Sequence, residues 1–235
     1  MSAVPIASRA PGAAGLAILP FLVLWLLDGF WKAKLVELAP LAFWAVDVFE
    51  WVVVPAATLL LLRHFATSLT ARDCGLVGGM GAPATFAALF LCTLTLFLAY
   101  WYGSRVLGPN LFGYSESAFR MDLALAALGQ YSAMGSFYLS ATAGFCESVF
   151  ALALPWAWFS RGQSVSRREA AAFAVLACAV FALGHWETGW ANATGAFLFQ
   201  LLAVTWYLGL KNIWPIIGAH FLVDLYWLWP LMKTV

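Results

Sequence analysis

Glu147, His185, His220 and Asp224 stand inside stretches that are otherwise apolar. The chain has only three histidines, so two of them lying in such stretches is a marked concentration. His220 and Asp224 are four residues apart, a spacing that puts both on one face of a helix. An imidazole beside a carboxylate can hold and pass a proton, and a carboxylate kept from water is a usable base near neutral pH. If the stretches cross a bilayer, ionisable groups at that depth are costly. They then mark, by default, a functional site facing the bundle interior or a watery cavity.

The elements that carry these residues are membrane spans. Of the 235 residues 64% are hydrophobic and 10% charged, against about 25% charged in a soluble domain. The mean hydropathy of +0.87 agrees with this. A formal net charge of +1 gives no case for nucleic-acid binding. About 20 apolar residues cross the hydrocarbon core as a helix. Runs at roughly 13–28, 40–62, 82–103, 137–159, 168–186, 192–210 and 213–231 qualify, and 120–135 is a weaker eighth. The expected fold is an all-α polytopic transmembrane bundle of about eight spans, seven of them clear, forming one integral membrane domain over residues 1–235. The first run resembles a signal peptide in length. Its small residues precede the apolar run and no A-x-A-like site follows, so it reads as a retained span.

Orientation follows the lysines and arginines. Eight spans put Lys32, Lys34, Arg105, Arg120, Arg161, Arg167, Arg168 and Lys211 on one side, against Arg9, Arg63, Arg72 and Lys233 on the other. With seven spans the split is narrower, and under either count the Arg161–Arg168 loop is cytoplasmic. Tryptophans near span ends (Trp156, Trp158, Trp186, Trp190, Trp214, Trp227 and Trp229) suggest interfacial belts. The four cysteines lack metal-ligand spacing and support neither a zinc ribbon nor a disulfide framework.

The polar residues sit in recognisable text: GFCESVFALAL around Glu147, FALGHWETG around His185 and IWPIIGAHFLVDL around His220. Phe181 and His185 form F-x-x-x-H; His220 and Asp224 form H-x-x-x-D. Over about residues 138–228 this resembles the CPBP family, the CAAX-protease and bacteriocin-processing intramembrane proteases. Their motifs read E-E-x-x-x-R, F-x-x-x-H and H-x-x-x-N/D. Residues 137–231 would then be the CPBP-like core.

The resemblance implies metal-free, cofactor-free hydrolysis. Glu147 and His185 would activate a water, while His220 and Asp224 would polarise the scissile carbonyl and hold the oxyanion. The substrate would be a membrane-associated peptide or protein tail, and the location a bacterial inner membrane. The first motif departs from the family pattern: aligned on Phe150, Cys146, Glu147 and Ala151 stand where the family has Glu, Glu and Arg. A second reading is therefore a catalytically inactive CPBP-fold subunit that binds a partner helix or scaffolds a complex. Three further readings remain open. Cys146 could act as a nucleophile, although an apolar setting keeps a thiol protonated and inert. Zinc could be held by the two histidines and two carboxylates. A histidine could ligate a porphyrin-like pigment. Asp47 and Glu50, three apart and facing one way, either line a cavity or pair with Arg63, Arg72 or the motif-bearing half.

Overall fold

The computed structural model describes residues 12–28, 30–32, 35, 40–65, 69–77, 79–113, 132–160 and 164–231. The described residues fold entirely as helices and connections. They form α1 (Gly12–Leu27), α2 (Pro40–Val48), α3 (Val54–Phe65), α4 (Ala82–Tyr102), α5 (Gly108–Phe112), α6 (Ser132–Ser148), α7 (Leu154–Ser160), α8 (Arg167–Leu183), α9 (Trp190–Leu210) and α10 (Trp214–Leu231). Four continuous stretches are long and apolar enough to cross a membrane: Leu41–Arg63, Ala82–Phe112, Ala133–Ser160 and Trp190–Leu210. The expected spans at 13–28, 168–186 and 213–231 are present as helices of 16, 17 and 18 residues. Most of the weaker span at 120–135 lies outside the described residues, as do residues 161–163 of the basic loop.

Three of the long rods share one device. α2 passes through a π turn, Phe49–Val53, into α3; α4 passes through Gly103–Leu107 into α5; α6 passes through Val149–Ala153 into α7. In each case a proline follows two residues later: Pro55, Pro109 and Pro155. Proline offers no N–H, and its ring crowds the carbonyl four residues back. The chain widens the preceding turn instead. The N–H of Val54, Gly108 and Leu154 donates to the carbonyls of Phe49, Gly103 and Val149, five residues back.

The carbonyls that Pro55 and Pro155 cannot meet, those of Trp51 and Ala151, accept instead from side chains on other helices. Cys146 Sγ donates to Trp51 O at 3.2 Å, and Gln200 Nε2 donates to Ala151 O at 3.5 Å. Backbone acceptors in lipid must be satisfied inside the protein, so both contacts serve the membrane fold.

Small residues let the rods approach. A Cβ on Gly144 of α6 would lie 2.9 Å from Phe221 N and 3.1 Å from Ile217 O of α10. The absent side chain permits backbone-to-backbone contact one turn before Glu147 and beside His220. Gly103 and Gly195 do the same between the α4–α5 rod and α9, where the Gly103 Cβ would meet Gly195 Cα at 2.6 Å. α8 starts on a capping box: Glu169 N donates to Ser166 Oγ, and Ser166 N donates to Glu169 Oε2 at 2.8 Å.

The interior is aromatic. Phe21 of α1 meets Trp51 and Phe150 at centroid distances of 5.5 and 4.8 Å, joining the N-terminal helices to the motif-bearing half. The outside carries exposed Leu41, Leu60, Phe86, Phe90 and Leu176, as a lipid-facing surface requires. Of the expected belt tryptophans, Trp190, Trp214 and Trp229 are exposed. Trp156 is instead buried, stacked edge-on against Phe173 with Lys211 Nζ 5.0 Å over its ring.

Candidate active site

Three separate helical segments converge. Glu147 closes α6 just before its π turn, His185 follows the end of α8, and His220 and Asp224 lie one turn apart on α10. Glu147 Oε2 lies 4.0 Å from His185 Nε2 and 3.7 Å from His220 Nε2. Asp224 Oδ2 lies 3.4 Å from His220 Nε2. The four residues singled out in the sequence thus meet at one place. Glu147 and His220 are buried, His185 and Asp224 partly so.

The partners fix what each ring presents. His185 Nδ1 lies 2.9 Å from Phe181 O, so it carries the proton and its Nε2 is a bare acceptor facing Glu147. The Phe181 carbonyl and ring thus hold His185, with ring centroids 4.8 Å apart, which gives the F-x-x-x-H spacing a physical reason. His220 is arranged the other way. Its Nε2 faces the Glu147 and Asp224 carboxylates, and its Nδ1 lies 3.4 Å from Ser148 Oγ. Nε2–H is then the donor and Nδ1 accepts from the serine hydroxyl. Phe199 and Phe181 pack at a tilt against His220, with ring centroids 4.7 and 5.9 Å away.

Cys146 does not share this position. It is buried and bonded to Trp51 O, so the residue that faces the histidines is Glu147. One position along a helix turns a side chain by about 100°, which is what separates the two.

A second polar cluster lies in the same cavity. Lys32 Nζ is 2.7 Å from Asp28, 3.3 Å from Asp47 and 3.4 Å from Glu50, all four residues being buried. Asp47 and Glu50 were expected either to line a cavity or to pair with Arg63, Arg72 or the motif-bearing half. Asp47 does line the cavity, and the cation that meets both carboxylates is Lys32. The distance along the chain hid this pairing.

Beyond the motifs, a hydrogen-bond chain steadies the loop after α8. Tyr100 OH donates to Asn192 Oδ1, Asn192 Nδ2 donates to Thr188 Oγ1 at 2.5 Å, and Thr188 Oγ1 donates to His185 O at 2.7 Å. In the same loop Glu187 is buried with Oε2 lacking a hydrogen-bond partner, and burial pushes its carboxyl up to about 8. No sequence signal distinguished Tyr100 or Asn192 from the many other polar residues at span ends.

Both clusters open on one cavity of about 520 Å³. Trp25, Tyr100, Arg105, Asn192 and Trp227 help to line it, together with Glu147, His185 and Asp224. Among the described residues no three His, Cys, Asp or Glu side chains converge so as to hold a metal ion.

Residues 129–226, which contain all four motif residues, fit the family model described as type II CAAX prenyl endopeptidase Rce1-like. No curated protein and no solved structure matches the chain. The long apolar helices agree with that match: the chain is an integral membrane protein whose segment 129–226 matches the Rce1-like model of the CPBP family.

Proposed function

We propose that the chain is an intramembrane endopeptidase that cuts a membrane-associated peptide or protein tail by water attack, with Glu147, His185, His220 and Asp224 as its catalytic residues. One observation carries this reading. With its carboxylate ionised, Glu147 Oε2 is an acceptor, as is His185 Nε2, and the two face each other at 4.0 Å. Two acceptors cannot bond each other directly and need a donor between them. A water seated about 2.8 Å from each satisfies both and is polarised by both.

In the reaction this water's oxygen attacks the scissile carbonyl carbon. Its proton passes to the Glu147–His185 pair and then to the leaving amine nitrogen as the C–N bond breaks. His220 Nε2–H, steadied by Asp224 and Ser148, swings its hydrogen bond to the carbonyl oxygen as negative charge develops there. A donor of that kind contributes about 3 kcal/mol of barrier lowering. The protein works as a single integral membrane domain, residues 137–231 forming its core. It lies in a bacterial inner membrane with the Arg161–Arg168 loop on the cytoplasmic side.

The rival reading, an inactive subunit that binds a partner helix, is favoured by one observation. The first-motif carboxylate and arginine of the family are here Cys146 and Ala151, so Glu147 has no arginine partner. The deciding experiment reconstitutes the purified protein in liposomes with a fluorogenic prenylated peptide. Cleavage that is lost in Glu147→Gln and His185→Ala but kept in Cys146→Ser establishes the protease. Absence of cleavage by the wild-type protein, or equal cleavage by Glu147→Gln, overturns it.

A further inference from the structure

The cavity's charges are unevenly paired. Its carboxylates are Asp28, Asp47, Glu147, Glu187 and Asp224, and its cations are Lys32 and Arg105. Lys32 is consumed by Asp28, Asp47 and Glu50. Arg105 has no carboxylate within ion-pair distance among the described residues. It is exposed, it sits in the π turn Gly103–Leu107, and its guanidinium lies 5.3 Å over the Trp227 ring. Trp227 itself packs against Tyr100 at 5.8 Å, so the platform under the guanidinium is tied to the hydrogen-bond chain that steadies the His185 loop.

We infer that Arg105 receives the free α-carboxylate at the C-terminus of the tail that occupies this cavity. Stacking on an aromatic face leaves the edge donors of a guanidinium free, and its planar fork matches a carboxylate in a two-point hydrogen bond. Elsewhere the cavity wall is carboxylate-rich and repels a second carboxylate, so a tail's anionic end is stable only beside Arg105. That arrangement fixes the polarity of the tail. Its terminus lies at Arg105, and the peptide bond a short distance before it reaches Glu147 and His185. The inference rests on the proteolytic reading for its substrate and adds the feature by which a terminal tail is told from an internal loop. The same donors would also accept a phosphate oxygen of an anionic lipid, and the test separates the two sources.

The test uses the full chain in nanodiscs. Binding of a fluorescent prenylated peptide is measured in the Glu147→Gln background, and cleavage in the wild type. Each is run with the peptide as free acid and as C-terminal amide, with and without anionic lipid. The free acid is expected to bind about tenfold more tightly than the amide, as suits a charge-assisted hydrogen-bonded pair. The difference shrinks to within about twofold in Arg105→Gln and is partly kept in Arg105→Lys. Equal binding of acid and amide in the Glu147→Gln parent overturns the inference, and needs no further variant to fold. An acid preference that persists undiminished in Arg105→Gln also overturns it. So does an Arg105→Gln effect seen only as lost response to anionic lipid, which assigns the arginine to a headgroup. If the wild type cleaves neither peptide while the acid preference in binding holds, the proteolytic reading fails and the carboxylate site stands.

Discussion

Around Lys32, three carboxylates lie 2.7–3.4 Å from one ammonium; around Glu147, two imidazoles lie 3.7–4.0 Å from one carboxylate. The Lys32 cluster is buried and the Glu147 cluster partly so, and both face the same cavity. The first has a permanent cation at its centre and closes on itself at contact distance. The second has no permanent cation, and its gaps are wide enough to admit a small molecule. On the proposed function, the difference separates a cluster that holds helices together from one that is kept open for a reaction. The Lys32 group ties the segment after α1 to the rod bearing Asp47 and Glu50. The Glu147 group joins α6, the loop after α8 and α10 without filling the space between them.

The comparison breaks first on the open side. Glu147→Gln and His185→Ala are each expected to lower peptide cleavage about a thousandfold, within the range that general acid–base groups and oriented donors contribute, with thermal stability close to wild type. A kinetic assay beside a melting curve checks both halves of that statement.

The reverse pattern is expected on the closed side. Lys32→Met strands buried carboxylates, at a cost of about 3–5 kcal/mol. The loss should appear as a lowered unfolding midpoint, and Lys32→Met with Asp47→Asn should recover part of it. A Lys32→Met protein as stable as wild type would show that the cluster holds nothing together.

A smaller effect sharpens the boundary between the two. Glu187 sits in the loop that follows His185, with Asp28 and Lys32 contributing to its surroundings, and burial holds its carboxyl at about 8. A raised acid is easier to ionise in the unfolded chain. Its favourable contribution is therefore complete below about 4.5 and is lost as the pH climbs through about 8. Melting temperatures should fall over that window in the wild type and fall less in Glu187→Gln.

The smallest effect is expected at Cys146. Cys146→Ser keeps a donor for Trp51 O and should change stability by about 1 kcal/mol or less. Restoring the family's carboxylate with Cys146→Glu should instead destabilise the protein. The side chain would enter a buried site facing a carbonyl, not the histidines.

Much of the site was legible because membrane burial makes polar residues conspicuous: Glu147, His185, His220 and Asp224 stood out against their apolar neighbours and meet in space. The helical class was legible from the same apolar runs. Three things were not. Lys32 lies outside the apolar runs, so nothing marked it as the partner of Asp47 and Glu50. The prolines at 55, 109 and 155 are visible in the sequence, yet whether a proline kinks, ends or widens a helix depends on what can meet the displaced carbonyl. The orientation of Cys146 depends on that same matter, since its partner is Trp51 O. Tyr100 and Asn192, 92 residues apart, are joined only by the fold.

The π turn after Glu147 also acts as a phase shifter. It gives the rod one residue more than an α-helix would need to cover the same rise, so the faces on either side of it are set independently. Before the turn, the rod presents Glu147 and Ser148 to the histidines; within and just beyond it, Val149 to Leu154 are all buried among apolar neighbours. Deleting one residue from Val149–Ala153 would leave composition and hydropathy almost untouched. It would nevertheless rotate one end against the other by about 100°. Either the packing half would stay seated and Glu147 would turn away from both imidazoles, or the reverse. A single-residue deletion there is a rotational edit, and the rod can tolerate it at only one of its two ends.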